Sequence, residues 1–166
     1  QKVVDFDGDD SLNSWLPLAS NLSLFMVAGI DSISSGSNSL FVTSHSTPSF
    51  QFQSNAGSSF DGHFSNSGLG DHDAYLSGGP FAGPSIYQIL LDDSANKIFA
   101  YVDGTNRTGS GYAYTTAPYS PTTFGLMRNR GSSNFVDGYV AEFVLIPSAL
   151  STSDRPKMEG SLAPKW

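Results

Sequence analysis

Hydrophobic and polar positions along this chain alternate in short runs, and the dominant period is two. In Ser49–Gln53, Phe50 and Phe52 stand against Gln51 and Gln53; in Lys97–Val102, Ile98, Ala100 and Val102 stand against Lys97, Phe99 and Tyr101. That period sends alternate side chains to opposite faces of a strand. It predicts strands at Lys2–Phe6, Leu22–Ile30, Ser39–Ser44, Ser49–Asn55, Ala74–Ser77, Ser85–Asp92, Lys97–Asp103, Thr122–Arg128 and Phe135–Ile146. Leu22–Ile30 and Ile86–Leu91 are more continuously apolar and suit central strands of packed sheets.

Turn chemistry separates these runs. Asp103-Gly104 predicts a tight hairpin and Asp92–Asn96 another, so the two flanking strands form a meander. The Ser/Gly/Asn-rich stretches Ser32–Ser39, Gly57–Gly70 and Gly78–Gly83 read as loops. One helix is predicted after Leu150. Ser151 and Asp154 there have capping-box spacing, with Asp in place of the usual Glu, and Ser153 is the alternative cap that better suits Pro156. No internal repeat, heptad or dividing linker is visible. Short strands at these intervals predict one all-β domain over residues 1–166, a sandwich of packed sheets.

Composition agrees. Thirteen aspartates stand against two glutamates, Glu142 and Glu159, and 17 glycines accompany abundant serine. Such a chain favours strands and turns over helices. At 166 residues it is long enough to bury a core without staples, and it has no cysteine. The net charge of −7 argues against nucleic acid and against anionic membrane surfaces. It fits a soluble extracellular protein, a calcium binder or both, with solubility alone the simplest cause. No apolar run reaches membrane-spanning length. A start at Gln1, without initiator Met or signal peptide, suggests a processed product or an excised module. The sequons Asn21-Leu22-Ser23 and Asn106-Arg107-Thr108 are compatible with secretion, though such triplets arise by chance in Ser/Thr-rich chains.

Both ends carry a resemblance. The opening Val3-Val4-Asp5-Phe6-Asp7-Gly8-Asp9-Asp10 is similar to the first strand of laminin-G-like, concanavalin-A-like jelly-roll domains, which ends Phe-Asp-Gly and one or two acids. Gly138-Tyr-Val-Ala-Glu-Phe-Val-Leu-Ile146 resembles their final strand, and Ala149-Leu150-Ser151 the lead into their short helix. Glu159-Gly-Ser-Leu-Ala-Pro-Lys-Trp166 looks like an ending of bacterial and phage members, with Ser161 where Tyr is usual. KIFAYVDGT at 97–105 resembles a middle strand. The resemblance implies an antiparallel two-sheet jelly-roll sandwich with one short C-terminal helix. It also implies a structural Ca2+ site, with Glu142 as the last-strand acid and Asp7 and Asp10 as its partners from the N-terminal strand. The alternative is an exposed acidic turn.

Other constellations invite ligands. Asp61 and His63 with Asp71, His72 and Asp73 could hold a metal or sugar hydroxyls, but their spacing matches no metal signature and a solvated polar loop explains them better. Arg128, Asn129 and Arg130 suit hydroxyls and acidic sugars, or simply a solvated hairpin. Tyr112 and Tyr114 share one face of an extended segment and, with Trp15, Phe81 and Tyr119, offer rings to a sugar or to a sheet edge. Paired carboxylates at strand spacing, a nucleophile elbow and cysteine are all absent, so catalysis is not expected. The expectation is a non-catalytic carbohydrate-binding or adhesion module, acting outside the cell or on a virion surface. Its partner would be a glycan or cell-surface polysaccharide. A structural or decoration unit of a phage capsid or fibre is the alternative, and a glycan-active enzyme a weaker one.

Overall fold

A computed structural model describes the backbone of residues 4–7, 12–16, 21–33, 37–42, 49–55, 59–66, 70–76, 83–92, 94–113, 122–127 and 136–166, and the side chains of residues 5, 21–31, 83–92, 94–111, 113, 125–127 and 136–166. The strands are β1 (Val4–Asp7), β2 (Leu12–Leu16), β3 (Leu22–Ile33), β4 (Ser37–Val42), β5 (Ser49–Asn55), β6 (Ser59–Asn66), β7 (Gly70–Leu76), β8 (Ser85–Asp92), β9 (Lys97–Val102), β10 (Thr105–Asn106), β11 (Tyr112–Ala113), β12 (Thr122–Leu126) and β13 (Val136–Ile146). One helix, α1 (Arg155–Leu162), and a 3-10 turn (Ala163–Lys165) follow.

The strands form two antiparallel sheets. The first has the order β1-β13-β3-β8-β9-β10, with β11 also on β9; the second is β2-β12-β4-β5-β6-β7. The expected jelly-roll sandwich with one short C-terminal helix is what the chain forms. In β3, Leu22, Leu24, Met26, Ala28 and Ile30 face inward, as do Tyr87, Ile89 and Leu91 of β8 and Ile98, Ala100 and Val102 of β9. Leu126 and Met127 meet them from β12. The opposite face of the first sheet is covered too. Phe25 and Val27 pack with Leu162 of α1, alongside Val144, Ile146, Met158 and Trp166. Burial on both faces explains why Leu22–Ile30 reads as an apolar run apart from Ser23.

The predicted hairpin turns form. Asp103 and Gly104 both have positive φ, 47° and 75°, as a two-residue type I′ turn requires. The Asp103 carboxylate accepts the Ile86 N–H at 2.8 Å, which ties the turn to β8. At Asp92, Oδ1 accepts the Ser94 hydroxyl at 2.6 Å and the Ala95 N–H at 3.1 Å, shaping the β8–β9 loop. Gly138 lies against β3 so closely that a Cβ there would stand 2.2 Å from the Gly29 carbonyl oxygen.

Some expectations need correction. Gly57–Gly70 is not a loop: it contains β6 and reaches β7, and the two pair from Phe60 with Leu76 to Asn66 with Gly70. β2 was not foreseen, although Leu12–Leu16 pairs throughout with β12. The capping pair forms, with Ser151 Oγ donating to Asp154 Oδ2 at 2.7 Å and accepting from Asp154 N–H at 3.1 Å. It closes a turn just ahead of the helix, which begins at Arg155 with Pro156 in its first turn.

A candidate glycan cleft at one end of the sandwich

The first sheet has two ends. At one, β3 begins, β8 ends and β13 ends; at the other, β3 ends and β8 and β13 begin. At the first end lies an open cleft of about 410 Å³ lined by Asn21, Asp92, Ser94 and the segment from Pro147 to Ser151. Its floor is held by Ser23, one residue into β3 and fully buried. Ser23 Oγ donates to the Ser148 carbonyl and accepts from the Leu150 N–H, both at 2.9 Å. Pro147 stops β13, and Ser23 fixes the path the chain takes next. One wall is the β8–β9 loop held by Asp92; the other is this 147–151 segment.

Among the described residues, hydroxyls, an amide and one carboxylate, with Pro147, Ala149 and Leu150 between them, therefore surround an open hollow. Such groups exchange hydrogen bonds with polyhydroxylated ligands, and bridging water completes the set. Sequence reasoning missed the cleft because Asn21, Asp92 and Ser94 look like ordinary turn residues. The one usable signal was that the Asp92–Asn96 turn and the break at Pro147 both end strands.

None of the sequence-predicted ligand residues is among those described as lining the cleft. Tyr112 belongs to β11 and stands opposite Ile98, with Ala113 opposite Lys97, so β11 runs toward the cleft end. Tyr114 lies outside the described residues. Arg128, Asn129 and Arg130 lie outside them as well; of the residues that flank this stretch, Val136 donates its N–H to the Met127 carbonyl at 3.0 Å. Asp71, His72 and Asp73 sit within β7, opposite Ser65, Phe64 and His63 of β6, rather than in a loop. Asp61 pairs with Tyr75 in the same ladder.

Of the expected metal trio, Asp7 and Glu142 lie on described strands. Asp7 of β1 stands opposite Asp137, roughly 16 Å along β13 from Glu142 at the rise of a strand. Asp10 lies outside the described residues. Glu142 has other partners. A bulge follows Val140, so Val140 pairs with Ala28 and Glu142 with Val27. The extra residue leaves Ala141 and Glu142 on the outer face together, under the C-terminal tail. There the carboxylate accepts the Lys165 ammonium at 3.0 and 3.2 Å and the Trp166 indole N–H at 3.3 Å. The lysine hydrogen bond holds the Glu142 carboxyl below its ordinary value. Arg155 lies over the Tyr101 ring, 4.0 Å from its centre, and pairs with Glu159 at 2.6 Å.

Two buried polar groups lie apart from the cleft. Burial pushes the Tyr87 phenol far above its ordinary value, so it stays protonated. Gln88 is fully buried on the outer face between Phe25 and Tyr101, and neither amide atom has a hydrogen-bond partner among the described residues.

No family model and no curated protein matches the sequence. Solved structures do. The CBM40 of a Ruminococcus gnavus IT-sialidase, solved with α2,3-sialyllactose, superposes with a TM-score of 0.73 at 8% identity, covering 93% of this chain and 94% of that one. NanB sialidase from Streptococcus pneumoniae gives 0.74 at 14% identity, and the 93% of this chain that aligns spans 27% of that enzyme. Domain 4 of AbnA, an extracellular arabinanase from Geobacillus stearothermophilus solved with arabinotriose, gives 0.66 at 12% identity over 92% of this chain and 79% of that one. At such identities the likeness is one of fold, a two-sheet antiparallel β-sandwich shared with these carbohydrate-binding modules.

Proposed function

We propose that this chain is a non-catalytic carbohydrate-binding module that takes its glycan in the cleft between Ser94 and Ser148. The observation that carries the reading is the cleft itself: about 410 Å³, open, at one end of the sheet, and lined by hydroxyl, amide and carboxylate groups together with Pro147, Ala149 and Leu150. The fold adds support, since structures of the same architecture were solved with sialyllactose and arabinotriose. Glycoside hydrolysis uses two positioned carboxylates. Among the described lining residues Asp92 is the only acid, which supports binding without bond cleavage. Action outside the cell, as an adhesion or substrate-targeting module, follows from that role.

Isothermal titration against neutral and acidic oligosaccharides, with calcium present, tests the proposal. Binding by the native chain, abolished by Ser94→Trp or Ala149→Trp with the folded circular dichroism spectrum retained, is the expected outcome. No binding to any saccharide, or binding unaffected by both substitutions, would overturn it.

A further inference from the structure

Resting on that reading, we propose that the cleft selects neutral, hydroxyl-rich sugars and discriminates against sugars that carry a carboxylate. The inference comes from charge. Among the lining residues Asn21, Asp92, Ser94, Ser148 and Ser151 there is one formal charge, and it is negative. Asp92 is held in place, because its Oδ1 takes the Ser94 hydroxyl and the Ala95 N–H. Its Oδ2 has no partner among the described residues and is left to accept a sugar hydroxyl.

The described cations nearest in sequence to the cleft residues are each engaged elsewhere. Lys97, opposite Asp92 in the ladder, donates to the Ser110 carbonyl at 2.7 Å. Lys157 pairs with Asp154 at 2.7 Å, and Arg155 with Glu159 at 2.6 Å. Recognition of a carboxylate calls for an arginine fork or a free ammonium. Among the described lining residues an anionic sugar meets the Asp92 charge and no cation. Like charges set together at an interface are a device for rejecting the wrong ligand.

The test compares matched pairs, lactose with 3′-sialyllactose and a neutral with an acidic oligosaccharide of equal length, at low and high salt. The neutral member should bind about tenfold or more tightly at low salt, and the gap should narrow as salt screens the field. Asp92→Asn keeps the acceptor for Ser94 and removes the charge, so it should also narrow the gap. An acidic sugar binding as tightly as its neutral partner at low salt would overturn the selectivity while leaving carbohydrate binding intact. Failure of every sugar would overturn the carbohydrate reading itself.

Discussion

Glu142 and Lys165, 23 positions apart, close the C-terminal tail onto the last strand: the lysine ammonium reaches both carboxylate oxygens, at 3.0 and 3.2 Å, beside the Trp166 indole. This contact locks the segment that covers Phe25 and Val27. The pair is partly exposed, so its net worth is modest, about 0.5–1 kcal/mol. Glu142→Gln should lower the melting temperature by a few degrees at most. The loss should be equal in EDTA and in calcium, because the partner in this arrangement is an ammonium. A calcium-dependent loss would show that an ion occupies Glu142.

Acid should weaken the same contact. The folded-state carboxyls of Glu142 and Asp154 are held below their ordinary values of 4.5 and 3.8, chiefly by hydrogen bonds from Lys165 and Lys157. A depressed carboxyl contributes stability that is present above the unfolded value and lost as pH falls through the folded one. Thermal unfolding followed from pH 7 downward should show stability declining below about pH 4.5. Glu142→Gln should reduce that slope, and an unaltered slope would remove Glu142 from the effect.

Ser23→Ala tests the foundation of the cleft. It deletes the acceptor of the Leu150 N–H and the donor to the Ser148 carbonyl. Stranding these groups should cost about 1–3 kcal/mol. The variant should also bind saccharide more weakly, because the 147–151 wall loses its anchor. Unchanged stability and affinity together would contradict the role assigned to Ser23.

Gln88 offers a change in the other direction. Its amide is fully buried, with no partner for Nε2 or Oε1 among the described residues. Gln88→Leu removes that uncompensated desolvation at similar volume, and stability measured in urea should rise by about 1 kcal/mol. A drop of that size would reveal a bound water or other partner serving the amide.

Much of the fold was legible because burial leaves a strong trace in sequence. Leu22–Ile30 is apolar apart from Ser23 because α1 covers its second face, and Asp103-Gly104 marks the β9–β10 turn because both residues need positive φ. β6 was obscured by composition. Phe60, Gly62 and Phe64 do alternate with Asp61, His63 and Ser65, yet the surrounding serines and glycines read as loop. The partners of Glu142 were illegible for a different reason. They depend on the bulge at Ala141 and on a tail folding back across the sheet, both products of long-range packing. The cleft was hidden likewise, since it joins Asn21, Asp92 and Ser148 from three distant points in the chain.

Gly138→Ala probes the tightest backbone approach near the bulged strand. A Cβ 2.2 Å from the Gly29 oxygen cannot be relieved by rotating a side chain, so strands β3 and β13 must part. Circular dichroism should show a loss on the order of 3 kcal/mol, or no folded protein. Native-like stability would mean that the β3–β13 register differs from the one described.

A backbone-resolved NMR titration with a neutral oligosaccharide such as arabinotriose tests carbohydrate binding at this end most directly. Saturable shifts are expected at Asn21, Ser94 and Ser148 to Ser151, with Asp103 and Gly104 at the far end unmoved. Shifts confined to the far end, or none with any saccharide, would contradict it.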